Sequence, residues 1–203
     1  MRQPDKALPV YIVDDDQAAC ESLAMMLEDY DFNVSAFTEG HSFLNSLKPD
    51  VPGCLILDNQ MPELNGRELQ QKLRQLDSPV SVIFLTGFGD VPLAVEALQA
   101  GATNFFQKPV KADLLIPAIE EGLVQSVEQS EKQMLLRAYN ALTPREADIL
   151  RLLIEGQRNA CIADKLCISV RTVEVHRASL MKKFFASTVA ELAFRFGKIE
   201  HDL

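Results

Sequence analysis

Five short apolar runs, at residues 10–13, 34–37, 54–57, 80–86 and 104–106, recur along the first 124 residues, each bounded by turn-forming residues. Between them Leu23, Met26, Leu27 and Tyr30, then Leu69, Leu73 and Leu76, then Ala94, Val95 and Leu98, then Leu115, Ile119 and Leu123 follow the spacing of amphipathic helices. Strand alternating with helix leaves few architectures open. Parallel strands need crossover helices, so the pattern predicts a five-stranded parallel sheet covered on both faces, a doubly wound α/β unit. In such folds ligands bind beyond the carboxyl ends of the strands.

At 203 residues the chain has room for one or two domains. Its net charge of −9 is unevenly spread: residues 136–203 carry 11 Lys/Arg against 8 Asp/Glu, which leaves 9 basic and 21 acidic residues before them. An acidic front and a basic back predict two domains with different partners. The divisions fall at 1–124 for the α/β unit, 125–140 for a polar, helix-permissive linker, and 141–203 for a second, all-helical domain. The runs CLILD and SVIFLTGF are too short to cross a bilayer, and MRQPDK lacks the layout of an export signal, so a cytoplasmic protein without a membrane role is expected. Cys20, Cys54, Cys161 and Cys167 form no CxxC pair, so the expectation is four buried, reduced thiols.

The residues just past the strands carry the chemistry. VYIVDDDQ ends the first run in Asp14, Asp15 and Asp16; Asp58 ends the third, Thr86 the fourth, and Lys108, followed by Pro109, the fifth. Packed carboxylates repel unless a cation neutralises them, and hard oxygen donors suit Mg²⁺. With the cation bound, one carboxylate can attack a phosphoryl group, a threonine hydroxyl can donate to the phosphate, and a lysine can pair with its charge. Singly, these residues have ordinary explanations: a helix cap, strand propensity, a solvated lysine. Their placement on successive strand ends is what points to phosphoryl transfer.

IVDDD, LILDNQMPELNG, FLTGFGD and FFQKP resemble, in order and spacing, the four signature stretches of response-regulator receiver domains, over residues 9–124. The resemblance implies a flavodoxin-like fold with Asp58 as phosphoacceptor. It also implies Mg²⁺ held by Asp14, Asp15, Asp58 and the backbone carbonyl of Gln60, with Thr86 as switch hydroxyl, Phe105 as switch aromatic, and Lys108 as phosphate partner before a cis Lys108–Pro109 bond. Asp16 is then the helix cap. Asn65-Gly66 reads as a turn needing positive φ. Pro117, inside the last helix of the unit, departs from the family pattern.

In the back half, LTPREADILRLLIEGQ opens with Thr143 as N-cap, Pro144 at the first helical position and Glu146 completing a capping box; Leu150, Leu153 and Ile154 form its apolar stripe and Gly156 ends it. A short helix with Ile162, Ala163 and Leu166 inward follows, then one capped by Ser169 with Val173, Leu180 and Phe184 inward, and a last one with Val189, Leu192, Ala193 and Phe196. Two helices joined by a tight turn, the second bearing exposed basic residues, have a helix-turn-helix layout. LTPRE, IADKLCIS and TVEVHRASLMKK are similar to the LuxR-type helix-turn-helix of NarL/FixJ response regulators, and with GDVPLAVEAL the whole chain resembles the FixJ branch.

That resemblance implies a phosphorylation-dependent transcription regulator rather than an enzyme, acting between a sensor histidine kinase and double-stranded promoter DNA. Arg171, Thr172, Glu174, Val175 and Ala178 would face the DNA, Glu174 as acceptor for a cytosine amino group, and Arg177, Lys182 and Lys183 would meet phosphates. Phosphorylation would drive homodimerisation through a face including Val91 and Val95, with RNA polymerase as a further partner and an inverted repeat as operator. Ala160 and Phe185 stand where the family usually has a basic and a small residue. VDDDQ also resembles the D-x-D start of haloacid-dehalogenase phosphatases, with Asp14 as nucleophile. That alternative leaves Asp58 and MPELNG without a role.

Overall fold

The computed structural model describes residues 5–87 and 91–203. The apolar runs become β1 (Pro9–Val13), β2 (Asn33–Phe37), β3 (Cys54–Leu57), β4 (Ser81–Thr86) and β5 (Asn104–Gln107), a parallel sheet in the order β2-β1-β3-β4-β5. The chain steps outward from β1 to β2 and then returns across β1 to β3, so the carboxyl ends of β1 and β3 flank the topological switch point. The register pairs Val13 with Leu57 and Leu57 with Phe84. Asp14 and Asp58 therefore leave the sheet as neighbours.

Side-chain alternation along the strands builds two cores. Tyr11, Val13, Leu55, Leu57, Val82 and Phe84 face α2 (Gly40–Ser46), α3 (Gly66–Gln75) and α4 (Val91–Gln99) with Phe43, Leu69, Leu73 and Ala97. Val10, Ile12, Cys54, Ile56, Ile83 and Leu85 face α1 (Gln17–Glu28) and α5 (Ala112–Asn140) with Cys20, Leu27, Leu115, Ile119 and Leu123. Strands buried on both sides are why these runs read as continuously apolar.

Several apolar residues expected inward are exposed. Tyr30 and Leu76 lie past the ends of α1 and α3, where Asp31 (φ 63°) and Asp77 (φ 50°) turn the chain through left-handed backbone. In α4 it is Ala97 that enters the core, while Val95 and Leu98 are exposed. The short α2 carries too few apolar positions to show a period. Pro117 sits past the first turn of α5, where it removes the N–H that would bond the Asp113 carbonyl. Within the stretch 125–140, buried Ser126 accepts from the Gly53 N–H (2.8 Å) and donates to the Pro79 carbonyl (2.7 Å), whereas Leu135 belongs to a third core, formed with Ile149, Leu150 and Leu180. The chain divides into compact units at 130/131.

The second unit comprises the end of α5, then α6 (Pro144–Ile154), α7 (Asn159–Leu166), α8 (Val170–Lys183), α9 (Val189–Gly197) and a 3₁₀ turn, Glu200–Asp202. Ile149, Leu150, Leu153, Ile162, Val173, Leu180, Phe184, Leu192 and Ile199 form its core. Each such side chain, fully buried, contributes about 1.5–3 kcal/mol. Thr143 caps α6 in a reciprocal box with Glu146, and Ser169 caps α8. Cys20 and Cys54 are buried, but Cys161 and Cys167 are exposed, against expectation. The buried residues of α7 are Ile162 and Ala163, and Cys167 lies beyond its last turn at φ 52°.

Phe185 ends α8 in the same way, at φ 53°, its N–H donating to the Lys182 carbonyl (3.2 Å) and that of Ala186 to Met181 (2.9 Å). Glycine normally fills this position, because a β-carbon there is strained by about 1–2 kcal/mol. Phe185 is 57% exposed and recovers little by burial. Phe185→Gly is expected to raise the urea unfolding midpoint of the helical unit by the equivalent of about 1 kcal/mol; an unchanged midpoint would mean that the covered part of the ring offsets the strain.

Candidate functional site

Asp16 answers for one of the three consecutive aspartates: its Oδ1 accepts from the N–H groups of Ala18 (2.9 Å) and Ala19 (3.2 Å) and starts α1. The other two are left for the sheet edge. One carboxylate oxygen from each of Asp14, Asp15 and Asp58 lies within 4.8 Å of the others. Asp14 and Asp58 are buried and Asp15 is exposed, so the cluster is open to solvent on one side. Three hard oxygen donors with room for water fit a small divalent cation.

Lys108 enters from the end of β5, before a cis bond to Pro109, with its N–H held by the Thr86 carbonyl (2.9 Å). Its ammonium contacts Asp14 Oδ2 and lies 3.2 Å from Asp58 Oδ2. Partial burial disfavours the charge, but the hydrogen bond to Asp14 and the charges of Asp58 and Asp14 outweigh it and hold the Lys108 pKa above the ordinary lysine value. Cys20, whose thiol donates to the Asp14 carbonyl (3.3 Å), is pushed up to about 11 by burial and by Asp14, which keeps it protonated and unreactive.

Thr86 is 0% exposed, and its Oγ1 has no hydrogen-bond partner among the described residues. A buried, unmatched hydroxyl costs about 1–3 kcal/mol and marks a place where a partner is missing. Phe105 is half-buried, its ring stacked near Phe84 at 6.2 Å and 29°. Asn59, beside Asp58, also has a buried and unmatched Oδ1; sequence reasoning passed over it, since an Asn after a strand usually signals only a turn.

Gly66 has a role other than the expected one. It is the first residue of α3 behind the Asn65 cap, and the positive φ of this loop belongs to Glu63 (65°). What Gly66 supplies is close approach: an added Cβ would lie 2.5 Å from the Asp58 carbonyl oxygen and 2.9 Å from Asn59 Cα. Both are backbone atoms of the loop that aims Asp58. Gly66→Ala is expected to destabilise the first unit by about 2 kcal/mol or more, measured by urea unfolding; a wild-type midpoint would refute the close-approach role.

On α8 the structure separates outward from inward residues. Arg171, Glu174, Val175, Ala178 and Lys182 are exposed, and at 3.6 residues per turn they fall within an arc of about 100°. Thr172 is half-buried and shares its hydroxyl with the Ser169 cap (2.8 Å). Arg177, expected at a phosphate, donates to Asn159 Oδ1 on α7 (3.2 Å). Lys183, also expected at a phosphate, donates to Glu146 Oε2 (2.8 Å) and the Ala141 carbonyl (2.9 Å). Ala160 is exposed on α7. Glu146 receives Ser179 Oγ (2.7 Å) as well as the Thr143 N–H (2.9 Å) and hydroxyl (3.0 Å). The Lys183 contact first, then the Thr143 and Ser179 hydrogen bonds, override burial and bring its pKa down to about 2. The capping box was the only signal of Glu146 in the sequence.

The fold and the acidic edge define a phosphoreceiver joined to a helix-turn-helix domain. Residues 10–120 match the family model described as response regulator receiver domain, and residues 140–195 match that of bacterial regulatory proteins, luxR family. The chain belongs to the two-component response regulators of the NarL/FixJ family. It is 40% identical to the tetrathionate response regulatory protein TtrR of Salmonella typhimurium over 94% of this chain and 92% of that one. It is 39% identical to the transcriptional regulatory protein FixJ of Azorhizobium caulinodans over 92% and 90%. Among solved structures, the response regulator StyR aligns over 95% of this chain and 99% of that one with a TM-score of 0.71 and 36% identity. Full-length FixJ from B. japonicum aligns over 95% and 97% with a TM-score of 0.56 and 36% identity. A receiver joined to a LuxR-type domain is a transcription regulator that takes its signal from a sensor kinase and binds DNA. No helix among the described residues is long and apolar enough to cross a membrane.

Proposed function

We propose that the protein is a cytoplasmic regulator that accepts a phosphoryl group on Asp58 from the phosphohistidine of a sensor kinase, then dimerises and occupies paired promoter half-sites. The observation that carries this reading is the fully buried Thr86 hydroxyl, unmatched among the described residues, at the same sheet edge as Asp58 and Lys108. An Asp58 oxygen attacks phosphorus, the phosphorus–nitrogen bond breaks, and the imidazole leaves with the electron pair. Mg²⁺, held by Asp14, Asp15, Asp58 and the Gln60 carbonyl, would supply charge neutralisation for the phosphoryl oxygens. Lys108 exchanges its contact with Asp58 for one with the new phosphate, and Thr86 donates to a phosphate oxygen.

Movement of Thr86 toward the phosphate opens space for Phe105 to turn inward, and this remodels the surface of α4 and β5. The exposed Val95 and Leu98 support that surface as the dimer contact; the Val91 side chain lies outside the described residues. Division into a receiver at 1–124, a helical connection at 125–140 and a DNA-binding domain at 141–203 accords with the acidic-to-basic change along the chain. Arg171, Glu174, Val175, Ala178 and Lys182 form the DNA-facing stripe, with RNA polymerase recruited at the bound promoter. Mobility shift of promoter fragments by the full chain, with and without acetyl phosphate and Mg²⁺, tests the switch. Tighter binding after phosphorylation is expected, and equal binding in both states would overturn it.

A further inference from the structure

With Arg177 hydrogen-bonded to Asn159 and Lys183 to Glu146, both half-buried, the exposed stripe of α8 holds two cations, Arg171 near its start and Lys182 near its end. Between them stand a carboxylate, Glu174, and two apolar side chains, Val175 and Ala178, and Val175 is 62% exposed. This centre is poorly suited to phosphates and well suited to base edges.

We propose that Glu174 and Val175 set the sequence preference of this regulator, Glu174 by accepting from the exocyclic amino group of a cytosine and Val175, beside Ala178, by packing on a thymine methyl at a neighbouring base pair of each half-site. The inference rests on the DNA-binding reading and deepens it. An ionised carboxylate only accepts hydrogen bonds, and the major groove offers it donors only at the cytosine and adenine amino groups. On adenine the neighbouring edge atom is the N7 acceptor, which repels a carboxylate; on cytosine it is a C–H. Guanine and thymine would set acceptors against Glu174 inside an already negative groove. A wrong base thus costs more than a lost contact, and Glu174 excludes as well as selects. An exposed valine gains by covering the one apolar group of the groove floor, the 5-methyl of thymine.

The test is selection from a randomised duplex pool by full-length protein treated with acetyl phosphate and Mg²⁺, comparing wild type with Glu174→Gln and Glu174→Ala. Wild type is expected to enrich cytosine at one position of each half-site, by about 5- to 100-fold over other bases. Glu174→Gln should move that preference to adenine, and Glu174→Ala should erase it while the rest of the site persists. Replacing the neighbouring thymine by deoxyuridine should weaken wild type several-fold and leave Val175→Ala unaffected. A selected site unchanged by Glu174→Ala, or a deoxyuridine effect equal in wild type and Val175→Ala, would overturn the proposal. Retention of duplex with no preferred sequence would overturn it while sparing DNA binding, and no retention above background even at low salt would overturn both.

Discussion

Incubated with Mg²⁺ and acetyl phosphate, the wild-type chain is expected to gain one phosphoryl group, and the Asp58→Asn variant none. Asn at this position keeps the shape of the site but offers no anionic oxygen to attack phosphorus, so the loss should be complete to the limit of intact-mass detection. Asp14→Asn should weaken uptake by removing a donor for the cation, with the residual adduct still on Asp58. Burial and the nearby Lys108 ammonium distinguish Asp58 from the many exposed acids of the front half. The phosphatase alternative predicts the reverse pattern: an adduct that survives Asp58→Asn and disappears in Asp14→Asn would move the nucleophile to the first strand.

The second large effect is expected from Glu146, which ties the start of α6 to α8 through Lys183, Ser179 and Thr143. Its ordinary value of 4.5 falls to about 2 in the folded chain. A depressed carboxylate stabilises the fold above its unfolded pKa and loses that contribution as the pH falls through the folded one. The stabilisation is therefore full above about pH 4.5 and fades toward pH 2, and its size at neutral pH is about 2–3 kcal/mol. Glu146→Ala should lower stability by that order at pH 7, and the gap from wild type should narrow between about pH 4.5 and pH 2. Urea unfolding of both proteins across that range measures it, and a gap independent of pH would remove the carboxylate's charge from the account.

Much of this was legible because it is local. Thr86 is the last residue of its strand and Asp14, Asp58 and Lys108 each directly follow one, and a parallel sheet necessarily brings strand ends to one edge. Asp16, Thr143 and Ser169 cap their own helices within three residues. What escaped depends on distant neighbours. The role of Gly66 comes from the backbone of Asp58 and Asn59 pressing on α3. Basic residues read as phosphate contacts proved to have partners on other helices, Asn159 for Arg177 and Glu146 for Lys183, which no periodicity can reveal. Helix ends at Asp31 and Asp77 were overrun because glycine, the usual stop signal, is absent there.

The engagement of Arg177 and Lys183 with neighbouring helices also bears on how such a protein moves through a genome. Each phosphate contact releases condensed counterions and adds to indiscriminate adhesion, so a reading helix with two exposed cations, in a helical half with only three more basic than acidic residues, would adhere weakly to bulk DNA. A single protomer would then be less titrated by the vast excess of irrelevant sites. If the chain dimerises on phosphorylation as proposed, occupancy of an operator would fall to the pair and climb with roughly the square of the concentration of phosphorylated chains, a steeper response to the kinase signal than a monomer would give.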